Sequence, residues 1–502
     1  MLSAPLRRGA KAPRHHGVKA LCAIAALSLA VLGCQPSAPA TDSADGEAGS
    51  PAAAASLDAR QHNVLLISAD TVRADRLNIY GYDERELTPN LDRLLSRGVL
   101  FEQATAPRTI TWPSLATVLT GLYPSGHGVI ENGYELPPDL ETLPKRLRAE
   151  GYQTAAFLSN MCRAGHDGWD VLRCSHGRDG RTVQWSLEWA QQIDPERPWL
   201  IWIHLFGAHG PYYNGGDLAR TRFDPDYTGD LIPKKWRLDA VMKEQQELSP
   251  ADIRHLDAIY DAAVAGTDGL VGRILDGLGF SAEGSTVAGA PREGAPVGDR
   301  GTTIVFLSDH GEDLYDHNGY LYHACSVYET SLHVPLGIVA EGVVPTGSRI
   351  NQPVELSDVT PTILDLMSLE SQANFHGDSL VPYLRRSDHG GRGKPAFSEY
   401  GSTRIHTVRS GPWKLVDNPD GLTPYCFAGG PKDLYPVQQV ELYNLEQDPL
   451  EQENVADQHQ ARVAEMRELI RNRFSSLQTR DQAQDIPEDL KEELRSLGYV
   501  AN

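Results

Sequence analysis

NVLLISAD, residues 63–70, is a short apolar run that stops at a carboxylate. Unbroken apolar residues over this length, without polar alternation, describe a strand buried on both faces of a parallel sheet. The same form recurs in YQTAAFLSN (152–160), PWLIWIHLFGAHG (198–210) and TTIVFLSDHGED (302–313). Helical patterns lie between these runs. LTPNLDRLLSRG (87–98), for example, is amphipathic and closes on Gly98. Strand and helix in alternation predict an α/β fold, a doubly wound and mostly parallel sheet flanked by helices.

Such sheets bind ligands beyond the carboxyl ends of their strands. Asp70, His209, Asp309 and His310 all fall at or just past those ends. Two carboxylates and an imidazole suit one divalent cation of the Ca, Mg, Mn or Zn type. The plainer alternative is that each aspartate caps a following turn.

RTITWPSLATVLTGLYPSGHGV (108–129) raises a second question. It reads as a turn followed by a helix that ends at Gly121. Pro113 near the first helical position makes Thr111 a candidate N-cap. A helix N-terminus also presents free N–H groups and a positive dipole end. A hydroxyl placed there beside a metal could attack phosphorus or sulfur. Thr109 reads as a turn residue.

The remaining chain frames this centre. Residues 212–255 read as a polar, irregular insert with a helical end, and 281–300 as a Gly/Ala/Pro-rich insert. From about 376 short strand-like pieces (IHTVRSGPWKLVD, VELYNLE) precede amphipathic helices (RVAEMRELIRNRF, EDLKEELRSLG). The expected organisation is a catalytic domain over 61–375 and a smaller C-terminal α+β subdomain over 376–502.

The 502 residues carry a net charge of −21. Residues 1–33 hold five basic and no acidic side chains, leaving 41 basic against 67 acidic beyond them, a net −26. That surface repels nucleic acid, so no nucleic-acid partner is expected. An anionic substrate would need local cations. The first 33 residues read as a signal segment: Arg7, Arg8, Lys11, Arg14 and Lys19 precede an apolar run from Ala20 to Gly33. That run is short for a bilayer span. VLGC (31–34) resembles a lipoprotein lipobox, which implies cleavage before Cys34 and membrane attachment through its lipidated thiol. Gln35 then points by analogy to the outer membrane. Residues 34–60 read as a flexible tether. Cys162, Cys174, Cys325 and Cys426 remain, and Cys162–Cys174 is the favoured local disulfide.

Taken together, the blocks around these residues resemble the sulfatase family of the alkaline phosphatase superfamily. The resemblance covers nearly all of 61–499. It runs through NVLLISADTVRADRLNIYGYDERELTPNLDRLLSRG, TWPSLATVLTGLYPSGHGV, HLFGAHGPY, SDHGED, HVPL, SDVTPTILDLM, FHGDSL, GPWKL and ELYNLEQDPLEQENVA. It implies an alkaline phosphatase-like fold and hydrolysis of anionic esters. It aligns Thr111 with the nucleophile of a C/S-x-P-S-R motif, whose cysteine or serine becomes formylglycine. Here threonine takes that place, Leu115 replaces the arginine, and Ser159 stands where a lysine belongs in GYQTAAFLSN. Other branches of the superfamily, phosphodiesterases and phosphoethanolamine and lipoteichoic acid transferases among them, use unmodified threonine.

The phosphodiesterase branch places an asparagine where HGVIEN supplies Asn132. That position implies a hydrogen bond to the transferred group, against a plain turn role before Gly133. The Asp-x-x-x-His pair of two-zinc relatives is missing, because Leu205 precedes His209 by four. The resemblance therefore implies one metal, held by Asp70, Thr111, Asp309 and His310. Thr71 occupies the place of a second acidic ligand. His209 and His323 would face the substrate, as leaving-group acid or anion binder. The expected activity is phosphate mono- or diester hydrolysis or phosphotransfer through Thr111. One alternative is sulfate ester hydrolysis without formylglycine. The other is an inactive protein that binds sulfated or phosphorylated polymers.

Overall fold

The computed structural model describes residues 58–492, apart from 162–164, 166, 244–245, 281–299, 318, 325, 372, 386–392, 401–404, 423–436, 476, 478, 481–483, 485 and 489. The signal segment, most of the tether, Cys34, Gln35, Cys162, Cys325, Cys426 and nearly all of the 281–300 insert lie outside these residues. Among the described residues no helix is long and apolar enough to cross a membrane.

Among the described residues fifteen strands follow in chain order: β1 (Asn63–Ala69), β2 (Val99–Thr105), β3 (Gln153–Leu158), β4 (Val171–Cys174), β5 (Trp199–Leu205), β6 (Thr302–Ser308), β7 (Asp313–Leu314), β8 (Leu321–Tyr322), β9 (His333–Ala340), β10 (Ser348–Ile350), β11 (Val354–Glu355), β12 (Ala396–Tyr400), β13 (Ile405–Ser410), β14 (Trp413–Asp417) and β15 (Val440–Asn444). Nine form the main sheet, in the order β10-β2-β9-β6-β1-β5-β3-β4, with β11 also paired to β2. β1, β3, β4, β5 and β6 pair in parallel, whereas β9 runs antiparallel to both β6 and β2. The mostly parallel expectation therefore holds, with β9 as the exception.

Strand period 2 explains the two cores. Leu65, Ile67 and Ala69 belong to one buried cluster, while Val64 and Leu66 belong to the other. The first cluster is covered by a 29-residue helix, Pro250–Leu278. Ser249 and Asp252 cap it reciprocally, and Gly279 closes it in the left-handed conformation. The sequence predicts a polar, irregular insert over 212–255 with a helical end, and that end is the start of the long helix at Pro250. A nine-residue helix, Lys235–Lys243, and the first turns of the long helix occupy part of that span. Polar residues dominate 212–249, and the buried Leu238, Val241 and Met242 are too short a pattern to mark the first of these helices.

The register aligns the strand ends. Ala69 faces Leu205 and Ser308, and Leu158 faces His204. Four parallel strands therefore stop at one level, and the residues after them share one edge of the sheet.

The smaller antiparallel sheet, β12-β13-β14-β15, packs Val408, Leu415 and Leu442 against Val463, Met466 and Ile470 of the Gln460–Phe474 helix. It is bonded to the main sheet's loops. The Ser398 hydroxyl donates to the Ala106 carbonyl at 2.6 Å, and the Glu399 N–H donates to the Pro107 carbonyl at 2.9 Å. Cys174 is disulfide-bonded, while Cys162, its expected partner, is outside the described residues.

Candidate active site

Asp70 follows β1, Asp309 and His310 follow β6, and Thr111 opens the Thr111–Thr120 helix. All four are fully buried. Side-chain atoms of Asp70, Asp309 and His310 lie within 4.8 Å of one another. The Thr111 hydroxyl is 3.4 Å from His310 Nε2. His310 Nε2 is 3.8 Å from Asp70 Oδ1 and 3.5 Å from Asp309 Oδ2.

Hydrogen bonds fix the direction of this imidazole. His310 Nδ1 lies 2.9 Å from the Gly311 carbonyl, which can only accept, so Nδ1 carries the proton. Nε2 then presents a lone pair toward two carboxylates. Burial holds the His310 pKa below its ordinary value, although Asp70 pulls the other way. Asp309 divides its oxygens. Oδ1 accepts from the N–H groups of Thr71 (3.2 Å) and His310 (2.9 Å), while Oδ2 has no hydrogen-bond partner. Asp309 thus does carry a turn with one oxygen, and leaves the other for a ligand. Burial raises its carboxyl to about 7. Carboxylate oxygens and an imidazole lone pair repel one another unless a cation lies between them. This donor set fits a divalent metal.

Neighbouring groups hold the set in place. Asn160, just past β3, donates from Nδ2 to Asp70 Oδ2 at 2.7 Å. The Ser114 hydroxyl donates to the Asp309 carbonyl at 2.7 Å, tying the Thr111 helix to β6. Gly207 has φ +60°, and an added Cβ would lie 2.5 Å from the Asp70 carbonyl oxygen. The β5 loop can approach the end of β1 this closely only because residue 207 is glycine.

Thr111 does not cap its helix. It is the first helical residue; Ile110 is the N-cap and supplies no side-chain bond. Asn132 does that work, with Oδ1 accepting the Trp112 N–H at 2.8 Å. Asn132 is therefore a capping residue brought in from a later turn, beside the nucleophile position rather than remote from it. Thr109 is buried and donates to the Ser326 carbonyl at 3.2 Å, pinning the loop beyond His323. Arg108, also buried, pairs with Glu131 at 2.9 Å and lies over the Tyr400 ring.

The histidines form a chain. Ring centroids are 4.5 Å apart for His310–His323 and 4.9 Å for His323–His209. His209 Nδ1 donates to the Gly210 carbonyl at 2.6 Å, leaving Nε2 as the acceptor. Burial lowers the His209 pKa to about 3 and holds His323 well below its ordinary value. Both are neutral imidazoles in the ligand-free protein. Glu312 Oε2 stands 3.4 Å from His323 Nδ1, and burial raises this carboxyl well above its usual range.

The positions that would serve formylglycine hold other contacts. Leu115 is buried in the second core cluster, and Ser159 shares a 2.9 Å hydrogen bond with Thr182. The sequence reading did not single out Asn160, Glu312 or Arg108. Asn160 follows a strand end and was within reach of the carboxyl-end rule; Glu312 and Arg108 are marked only by their burial.

Comparison with known proteins identifies the family. Residues 62–286 match the family model "Sulfatase", and 318–480 match "N-sulphoglucosamine sulphohydrolase, C-terminal". Arylsulfatase K of Danio rerio is 31% identical over 467 residues, covering 82% of this chain and 83% of that protein. The chain belongs to the sulfatase family. This sulfatase-family enzyme is an ester hydrolase by that membership. Choline-sulfatase of Rhizobium meliloti (strain 1021) is 24% identical, covering 79% of this chain and 82% of its own. Among solved structures, a protein in complex with its substrate D-glucosamine-2-N,6-O-disulfate superposes with a TM-score of 0.63 at 19% identity, covering 83% and 98% of the two chains. The phosphonate monoester hydrolase of Agrobacterium radiobacter gives 0.61 at 22% identity, covering 82% and 95%. The sulfatase-family fold with its alkaline phosphatase-like sheet is thus shared with both.

Proposed function

We propose that this enzyme cleaves or transfers phosphate esters through an unmodified Thr111. The observation that carries the reading is the Thr111 hydroxyl, which is free of capping and 3.4 Å from the His310 Nε2 lone pair. That distance puts the hydroxyl within the donor set, where its oxygen would share the ion with His310 and its proton would leave to water. Asp70, Asp309, His310 and Thr111 would hold one divalent ion. Bound there, the ion would polarise the ester and lower the pKa of the hydroxyl. The N-terminus of the Thr111–Thr120 helix adds positive potential where negative charge develops. The Nδ2 of Asn132, whose Oδ1 is committed to the helix, is left to donate to a non-bridging oxygen. His209 and His323 are neutral at rest; an anionic ester bound beside them would raise their basicity, so that either could take up a proton from water and pass it to the leaving oxygen.

Phosphorus is favoured over sulfur because a hydrated formylglycine would need cations at 115 and 159, where leucine and serine are found. Sulfate ester hydrolysis through Thr111 is the second reading, supported by relatives named as sulfatases. The test is turnover of p-nitrophenyl phosphate, bis-p-nitrophenyl phosphate and p-nitrophenyl sulfate with Mn, Ca, Mg or Zn. The expected result is phosphate ester cleavage lost in Thr111→Ala, with a phosphothreonine trapped at 111. Equal rates in the variant for all three esters would reject the hydrolase reading and leave the binding-protein alternative.

We also infer export and anchoring through Cys34, from the basic, apolar and VLGC segments. Palmitate labelling that persists in Cys34→Ser would reject it.

A further inference from the structure

The backbone around His209 and His323 is held in a conformation that favours glycine. Tyr212, three positions after His209, has φ +69°, and Tyr322 and Ala324, on either side of His323, have φ +81° and +73°. A residue with a Cβ stays in this region only where its surroundings over-determine it. Around His323 those surroundings are in place. Tyr322 pairs with Asp313 in the β7–β8 hairpin, three residues past His310. The Tyr320 hydroxyl donates to the His323 carbonyl, and the Ala324 N–H donates to the Thr109 carbonyl at 2.9 Å.

A further hold comes from the insert. Asp239 and Met242 lie three apart, on one face of the Lys235–Lys243 helix. The Tyr322 hydroxyl donates to Asp239 at 3.0 Å, and the Leu321 N–H lies 3.1 Å from the Met242 sulfur. The Tyr322 ring also reaches the other histidine. It packs on Gly210, where an added Cβ would meet two ring carbons at 2.7 and 2.9 Å. Gly210 is the residue whose carbonyl orients the His209 ring, 2.6 Å from Nδ1. One tyrosine therefore touches the loop of one histidine and adjoins the other in the chain. Its hydroxyl is fixed by a carboxylate of the insert.

We propose that Tyr322 and Asp239 are positioning residues for His209 and His323, so that the insert helix governs transfer of the leaving-group proton from outside the reacting centre. The inference rests on the reading of the centre as an ester hydrolase whose histidines protonate the leaving oxygen. The two imidazoles meet edge-on, with centroids 4.9 Å apart. Proton delivery depends on close placement of the ring. A tyrosine released to slide against Gly210 therefore lowers the rate where a proton is needed, and does little where it is not. Phenolate is a basic leaving group and needs the proton; p-nitrophenolate departs without it. The metal ligands follow β1 and β6 or open the Thr111–Thr120 helix, so the ion's affinity is expected to be independent of this contact.

The test compares phenyl and p-nitrophenyl phosphate in the Mn-loaded protein, or the two sulfates where those are the esters cleaved. Tyr322→Phe and Asp239→Ala should each lower kcat/KM for the phenyl ester by about tenfold or more, and for the p-nitrophenyl ester by less than about threefold. Asp239→Asn keeps an acceptor oxygen for the hydroxyl and should restore most of what Asp239→Ala loses. Mn affinity should be the same in all of them. Equal losses on the two esters, or none, would overturn the inference. A second readout needs no turnover. With isotope-labelled histidine rings, Tyr322→Phe should move the resonances of His209 and His323 and leave that of the buried His127, which bonds to Thr117. If the wild type cleaves no ester, the hydrolase reading fails and these resonances decide alone. Moved, they keep Tyr322 as the residue that positions both rings; unmoved, they reject it.

Discussion

Gly207→Ala should disable the site from a position that carries no functional group. The new Cβ would lie 2.5 Å from the Asp70 carbonyl oxygen and 2.8 Å from its nitrogen. Ordinary contact requires a separation of roughly 3.5 Å, so the two loops must part by close to 1 Å. The Asp70 N–H to Leu205 carbonyl bond (3.0 Å) and the Ala208 N–H to Asp70 carbonyl bond (3.1 Å) resist that movement. The left-handed φ adds about 1–2 kcal/mol for any residue with a Cβ, and the overlap about 1–3 kcal/mol more. A stability loss of about 2–5 kcal/mol follows, together with a displaced Asp70. A misplacement of about 1 Å costs on the order of 100-fold in rate. Differential scanning calorimetry and kcat/KM on aryl esters measure the two effects. Gly342→Ala is the control, with φ +66° and no atom within 4 Å of the added Cβ. It should show the conformational loss alone and keep its activity. Should Gly207→Ala match Gly342→Ala in both stability and kcat/KM, the close-approach argument is wrong.

Asn160→Ala removes the 2.7 Å bond to Asp70 Oδ2 and should weaken metal binding by about 10–100-fold, read by titration with Mn; unchanged affinity would mean that Asp70 is oriented by other groups. Leu115→Arg, which restores the family arginine, should cost several kcal/mol rather than rescue sulfatase chemistry, because residue 115 lies in an apolar core; roughly 3 kcal/mol or more in urea denaturation is expected. Glu451 pairs with Lys414 at 2.8 Å in a buried cluster, where burial lifts its carboxyl to about 7, Lys414 opposes the rise and Glu329 adds to it. The folded state then holds a proton that the unfolded chain has released above about pH 4.5, so this group's contribution is present at low pH and is lost as pH rises through 7. Glu451→Gln should flatten that loss in melting curves between pH 5 and 8, and an unaltered slope would assign it to other groups.

Sequence pattern made the centre legible because the sheet's geometry is simple. Apolar runs that end in Asp70 and Asp309-His310 must put those residues on one edge once the strands are parallel and in register. Asn132 was legible as a position but not as a partner: its bond to the Trp112 N–H depends on how the turn after the helix folds back. Thr111 looked like a cap by local rules, and a residue 21 positions away took that duty instead. The Lys235–Lys243 helix was obscured by the polar residues on either side of it. The bond from the Tyr322 hydroxyl to Asp239 of that helix is a long-range contact that no local period reports.

The bonds from β12 to Ala106 and Pro107 have a consequence for synthesis. The backbone that leads into Thr111 is fastened by residues 398 and 399, nearly three hundred positions later. A nascent chain that has made its whole parallel sheet still lacks this fastening. Reactivity should therefore appear late, after about four-fifths of the polypeptide has emerged, and a chain cut short before β12 should be inert however well its sheet has formed.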